Sequence, residues 1–320
     1  MPGLMRLAAL LLAALLSPVA AFAGGGQPVR LVVPFAAGGG VDAAARLLAP
    51  QLQQRLGVPV LVENHPGGSG SIGARLVLGA PADGHTLLFS AATHVLARQV
   101  LASPPYDPQT DFIPLARIGQ APLLLVVAPG RREPRLQELL AAVRREPGTW
   151  TAGIASVGSP GHLATLRLAQ LARLKLNLVP YRGTQPALMD VAGGHTDLLL
   201  DSVVALLPLV RGGQVRALAV TSLQRSPLLP AVPTFDESGL AGFSYHSWYG
   251  VWAARGTAPA RVAELDAALQ AATAALNQSG AFAGLGIEAA PLPSAAFRRF
   301  ITSEVAAAAE LLKASGFVPE

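Results

Sequence analysis

From position 29 onward, short β-branched or leucine-rich runs alternate with longer stretches whose apolar residues recur at helical spacing. Val29 to Val33 has the strand pattern and stops at Pro34, and Asp42 to Leu56 has the helical period and stops at Gly57. Strands are then predicted over 58–62, 86–89, 149–154, 176–179, 197–200 and 215–220, with a further apolar run at 123–128 between prolines. Helices are predicted over 72–78, 136–145, 162–174, 186–191, 262–276 and 295–314. Alternation of this kind predicts an α/β fold with mostly parallel sheets.

The pattern repeats weakly. Strand, small-residue loop and helix are followed by Leu56-Gly57-Val58-Pro59-Val60 and Gly84-His85-Thr86 in the first half. The second half follows the same order with Leu176-Asn177-Leu178-Val179-Pro180 and Gly194-His195-Thr196, and the two "GHT" strands end at Ser90 and Asp201. Two similar lobes follow from this, with the loops 34–42, 90–94, 155–162 and 181–186 at the carboxyl ends of strands, where α/β sheets bind ligands.

Composition narrows the class. The 320 residues are 51% hydrophobic and only 13% charged, which supplies ample apolar surface for a core and argues against disorder. The 27 prolines and 33 glycines cut the chain into elements too short for a polytopic membrane protein. Cysteine is absent, which excludes disulfides, iron–sulfur clusters and thiol nucleophiles. The formal net charge is +5, but the basic residues are scattered and the chain is only 5% aromatic, so no nucleic-acid partner is expected. The six histidines lie too far apart in sequence for a zinc-type ligand pair, and neither a metal nor a cofactor is expected.

The first 23 residues read as a signal peptide: Arg6, the apolar run Leu7 to Leu16, a break at Ser17-Pro18, and Ala21-Phe22-Ala23 as the cleavage site. A mature chain beginning near Gly24 would work outside the cytoplasm, where NAD and ATP are scarce.

Three segments carry candidate chemistry. The loop from Pro34 to Asp42 is built of small residues ahead of a helix and suits an anion held by backbone N–H groups, with Asp42 as the expected N-cap. The loop Ser156 to His162 repeats the arrangement, with Ser159 as N-cap, Pro160 at the first helical position and Ser156 free to aim its hydroxyl at a ligand. Neither loop contains an arginine, which favours small exchangeable acids over clamped phosphates. His94 and His162, at helix starts, either line the site or cap locally. Gly68 to Gly73 matches G-x-G-x-x-G, but it does not follow the first strand, and no acidic residue stands at the required distance. Ser156 as the nucleophile of a secreted serine hydrolase is the main enzymatic alternative, though Gly153 to Gly158 is out of register for G-x-S-x-G. Tyr245, Trp248, Tyr249 and Trp252 form the one aromatic cluster and read as core.

The motifs resemble a known family in order along the chain. Pro34-Phe35-x-x-Gly38-Gly39-x-x-Asp42, Val62-Glu63-Asn64-x-Pro66-Gly67, Thr93-His94, Pro105-Tyr106-Asp107-Pro108, Gly158-Ser159-x-x-His162, Val179-Pro180-Tyr181-Arg182-Gly183 and Val232-Pro233-Thr234 are similar to those of the Bug-type receptors. These are the extracytoplasmic solute-binding proteins of tripartite tricarboxylate transporters. The resemblance implies a two-lobed fold of the type II periplasmic binding protein kind, with a ligand cleft between lobes. It implies lobe I over 24–122 and 226–320 and lobe II over 123–225. It also implies a small carboxylate ligand (a dicarboxylate, tricarboxylate, amino acid or aromatic acid), a membrane transporter or sensor kinase as partner, a periplasmic location, a monomer and no catalysis. Carried over by position, the ligand residues are Phe35, Ala36, Gly39, Ser90, Thr93, His94, Ser156, Ser159, His162, Tyr181 and Asp201. Ala97-Arg98 departs from the Asn-Pro frequent in the family, and the second-lobe loop is apolar at Ala152, Ala155 and Val157.

Overall fold

The computed structural model describes residues 26–320; the expected signal peptide lies outside them. Two parallel units sit at the ends of one continuous mixed sheet. In the first, β1 (Val29–Val33) lies between β2 (Val60–Asn64) and β3 (Thr86–Ser90), parallel to both. In the second, β5 (Thr151–Ile154) lies between β6 (Asn177–Pro180) and β7 (Leu198–Ser202), again parallel to both. The same order, second-first-third, recurs in each, as the sequence repeat suggested. Strands covered on both faces must be apolar throughout, and Leu31, Val32, Val33, Leu198, Leu199 and Leu200 are all buried.

The units are joined by β4 (Phe112–Val127), a single 16-residue strand. Over Phe112 to Pro122 it runs antiparallel to β9 (His246–Ala254), and from Leu123 to Val127 it pairs with β7 and with β8 (Arg216–Val220). The sequence pattern revealed only the last part of this strand. Its first part carries Pro114, Arg117, Gly119 and Gln120 and has no clean alternation, because bulges at 114–116 and 117–119 break the period. The expected strand at 58–62 starts two residues later, at Val60.

In chain order the helices are α1 (Gly40–Leu56), α2 (Ser71–Gly79), α3 (Ala92–Val95), α4 (Ala97–Val100), α5 (Leu136–Arg145), α6 (Pro160–Ala172), α7 (Thr184–Ala192), α8 (Val203–Arg211), α9 (Pro259–Gln278), α10 (Ala281–Gly284) and α11 (Ser294–Ala314). Three short helices and α8 were not predicted, nor was β10 (Glu288–Pro293). The run that forms α8 is apolar on nearly every side and contains Pro208, so it shows no amphipathic period.

Two caps differ from expectation. Asp42 is not the N-cap of α1; Gly39 is. Asp42 sits one turn in, where its carboxylate accepts from the Gly38 N–H at 2.9 Å and from Arg46 and Asn64. It thus holds the loop from inside the helix, and these donors keep its carboxyl below the ordinary range despite burial. Ser294 does not cap α11 either; its hydroxyl donates to the Pro114 carbonyl at 2.6 Å. The aromatic cluster is core as expected, with Trp248, Tyr249 and Trp252 buried and Tyr245 half-buried at its edge.

Candidate functional site

Turns from both lobes meet over the middle of the sheet. The start of α1, the segment after β3, the start of α6, the start of α7 and the end of β7 enclose one small cavity of about 30 Å3. The first lobe contributes Phe35, Gly39 and Thr93, and the second contributes Ser156, Ser159 and Asp201. The lobes touch across it: the Ala36 N–H donates to the Arg182 carbonyl at 3.2 Å, and Gln185 Nε2 donates to the Gly38 carbonyl at 2.8 Å.

Backbone donors face the cavity from α1. The N–H groups of Gly39, Gly40 and Val41 open that helix and have no acceptor among the described residues, as the first turn of a helix requires. Across the cavity, Ser159 caps α6 by accepting the His162 N–H at 3.2 Å, and Pro160 takes the first helical position. Ser156 is only 3% exposed, and its hydroxyl has no hydrogen-bond partner among the described residues. A buried hydroxyl without a partner costs about 1 to 3 kcal/mol.

Two acids line the cavity, Asp42, whose carboxylate is taken up by Gly38, Arg46 and Asn64, and Asp201. The Asp201 carboxylate accepts from Thr184 Oγ1 at 3.0 Å and from the Ser202 N–H at 2.6 Å, while burial pushes its carboxyl up to about 6. Ser202 in turn shares a hydrogen bond of 3.0 Å with the Tyr249 hydroxyl, which anchors the site to the aromatic core.

Several predicted residues do not reach this cavity. His94 is buried on the other side of its helix, with Nδ1 3.3 Å from the Tyr106 hydroxyl and its ring edge-on to Phe112 and Trp252. Burial lowers its imidazole to about 3, so it is a neutral core residue. His162 accepts the Gly158 N–H at 3.1 Å, packs its ring against Phe317, and is lowered to about 4 by burial. Its Nδ1 is occupied and makes no bond to Ser156, so the Ser–His pairing that a hydrolase needs is not formed. Tyr181 turns outward and donates to Asp190 at 2.5 Å; desolvation and then that carboxylate push its hydroxyl up to about 12. Ala36 contributes to the contact between lobes, and Ser90 is fully buried beside the site at the end of β3 without lining the cavity. Arg98 pairs with Asp107 at the surface. Thr184, Ser202 and Ser247, which line the cavity, and Gln185, which bonds to Gly38 beside it, were missed, although Thr184 and Gln185 directly follow the Tyr181-Arg182-Gly183 motif.

The G-x-G-x-x-G segment forms a turn that packs on Pro34 rather than an open phosphate loop. A Cβ at Gly73 would lie 2.9 Å from Pro34 Cβ, and Gly67, Gly68 and Gly70 all have positive φ.

Comparison with known proteins agrees with this architecture. BugT of Bordetella pertussis is 34% identical over 306 residues, which are 95% of this chain and 94% of that protein. The structure of the periplasmic binding protein BugD superposes with a TM-score of 0.86 at 34% identity, covering 92% of this chain and 99% of that one. Rpa4515 of R. palustris, solved with adipate, superposes with a TM-score of 0.87 at 32% identity, covering 92% and 98%. Residues 44–317 match the family model described as the tripartite tricarboxylate transporter family receptor. With the same two-lobed α/β frame and a match over most of its length, the chain belongs to that receptor family, the Bug-type solute-binding proteins.

Proposed function

We propose that this protein captures a small carboxylate between its lobes in the periplasm and presents it to a membrane transporter or a sensor. The observation that carries the reading is Ser156. Its buried, unpartnered hydroxyl faces a cavity also bounded by the start of α1, whose first N–H groups are free. The N-terminal ends of two helices, α1 and α6, place partial positive charge on either side of that cavity. The adipate bound to Rpa4515 supports a carboxylate as the ligand class.

The chemistry is reversible binding without turnover. One carboxylate end would take the N–H groups of Gly39 and Gly40, and the hydroxyl of Ser156 would hold the ligand from the second lobe. The ligand atoms nearest Asp201 must donate a proton in a hydrogen bond, so a hydroxyl, an amino group, a protonated carboxyl or a bridging water fits there. Closure brings Ala36 onto Arg182 and Gln185 onto Gly38.

The proposal divides the chain at 24–122, 123–225 and 226–320, and the first of these divisions is supported by the change of partner along β4 at Pro122 and Leu123. The proposal includes a leader cleaved near Ala23 and a monomeric mature chain.

A thermal-shift and calorimetry screen of the mature protein against mono-, di- and tricarboxylates and amino acids tests the reading. A ligand at 100 times its Kd stabilises by about 2.7 kcal/mol. Saturable binding of one acid class, weakened in Ser156→Ala, is the expected result. Hydrolysis of a nitrophenyl ester that disappears in Ser156→Ala would overturn it in favour of the hydrolase.

A further inference from the structure

A second concavity is separate from the cleft between the helix N-termini. It is a groove of about 750 Å3 on the opposite face of the sheet, within the size range of small-molecule sites. Along β9 the side chains alternate between the two spaces: Ser247 lines the cleft, while His246 and Trp248 line the groove. One wall is α6, with Leu163 and Arg167; the other is α11, with Phe300 and Glu304; Tyr245 and Trp248 lie between them. The two helices belong to different lobes, so an occupant would bridge them.

The groove carries a carboxylate that the fold leaves mostly unmatched. Glu304 accepts one hydrogen bond, from the Trp248 indole N–H at 2.8 Å. A carboxylate has lone pairs for about four. Burial holds the Glu304 carboxyl above its ordinary range, with the Trp248 bond and the charge of Arg117 pulling the other way. Among the described residues no basic side chain forms an ion pair with it. Arg117 donates instead to the Ala290 carbonyl at 2.7 Å, and Arg167 to the Gln170 side chain at 3.0 Å. The rings around Glu304 already accept a cation, since the Arg117 guanidinium lies 4.6 Å from the centre of the Phe300 ring. Trp248, only 2% exposed, stands edge-on to Phe300 at 5.3 Å and forms part of the groove's floor.

We propose that this groove is a second ligand site, for a small organic amine with an aromatic or branched apolar body. Its ammonium group would pair with Glu304, and its body would lie among Tyr245, Trp248, Phe300 and Leu163. The site is separate from the cleft, and its test needs no knowledge of the cleft's ligand.

The probe is 2-phenylethylamine, with 2-phenylethanol as its uncharged counterpart, titrated into the mature 15N-labelled protein. The Trp248 indole resonance, assigned by Trp248→Phe, is the readout because its N–H is bonded to Glu304. The amine should shift that resonance saturably and the alcohol should bind about tenfold more weakly or worse, as expected for loss of a charge-assisted contact. Glu304→Gln keeps an acceptor for Trp248 and should weaken the amine by about tenfold or more. Ala307→Trp leaves the carboxylate in place, fills the groove and should abolish binding. Equal shifts with amine and alcohol, undiminished amine binding in Glu304→Gln, or no saturable shift in the parent protein would each overturn the proposal.

Discussion

Gln185 of the second lobe donates its side-chain amide to the carbonyl of Gly38 in the first, at 2.8 Å, and so ties the two anion-facing turns together. The contact is exposed, and it lies beside the backbone bond from Ala36 to Arg182. Together they form a polar seam between the lobes.

Gln185→Ala should therefore loosen closure without loosening either lobe. One hydrogen bond is worth about 1 kcal/mol, which predicts a carboxylate affinity lower by about fivefold. Calorimetry should show that loss while the unfolding midpoint stays within a degree or so. An unchanged Kd would mean that the seam forms without contributing to binding.

Two glycines, Gly39 in the cavity wall and Gly161 between α6 and β7, separate a binding effect from a folding effect. Gly39 has φ −74° and a Cβ there would meet Thr184 Oγ1 at 3.5 Å, an ordinary contact. Gly39→Val should fold, crowd the anion turn, and weaken binding by about tenfold or more. A Cβ at Gly161 would lie 2.2 Å from the Leu200 carbonyl oxygen, so α6 and β7 could not approach as they do. Gly161→Ala should cost about 2 to 4 kcal/mol of stability, in the range of overpacking and backbone strain. Denaturant unfolding beside ligand titration distinguishes the two; equal stability in both variants would refute the contrast.

Asp201 makes stability fall with rising pH. Its carboxyl is pushed up to about 6 by burial, from an ordinary 3.8. Between those values the folded chain retains a proton that the unfolded chain releases. Its contribution is thus most favourable below about pH 4 and is lost as pH rises through about 6, a change of about 3 kcal/mol. Asp201→Asn should remove this slope. Its carboxylate affinity should also depend less on pH than that of the parent, measured from about pH 5 to 8.

His94 acts in the opposite sense. Burial among Tyr106, Phe112 and Trp252 lowers its imidazole from 6.5 to about 3. The unfolded chain takes up a proton that the folded chain refuses, so stability is fully present above about pH 6.5 and is lost as pH falls toward 3. His94→Gln, which cannot titrate, should flatten the acid limb of a stability–pH curve, leaving a smaller slope from His162. An acid limb as steep as that of the parent would show that other groups control acid unfolding.

The two parallel units were legible because each has its own signals. β-branched runs, a glycine after the helix at Gly57, and Ser159-Pro160 at the start of α6 are local, and local geometry follows them. The anion turn at Gly38 to Gly40 and the Ser156 turn were legible for the same reason: small residues between a strand and a helix leave backbone donors accessible. The order of the motifs along the chain carried the family assignment.

Which side chains actually face the cavity was not legible. His94, His162 and Tyr181 lie within the loops that the sequence brought to the site, but a turn of helix or strand decides where each one points. His94 finds an aromatic cage, His162 its own loop amide, and Tyr181 the carboxylate of Asp190. Thr184 enters the site, and Gln185 reaches Gly38, because Gly183, at φ 140°, turns the chain toward Ala36. Nothing short-range announces that approach. The sequence by itself determined the elements, the two-unit repeat and the donor-rich turns, since these depend on periodicity, capping and backbone access over a few residues. Tertiary structure decided the joining strand β4, the seam between lobes, the raised carboxyl of Asp201 and the groove behind β9. Each of these depends on segments about 60 or more residues apart being packed together, and on the burial that packing imposes.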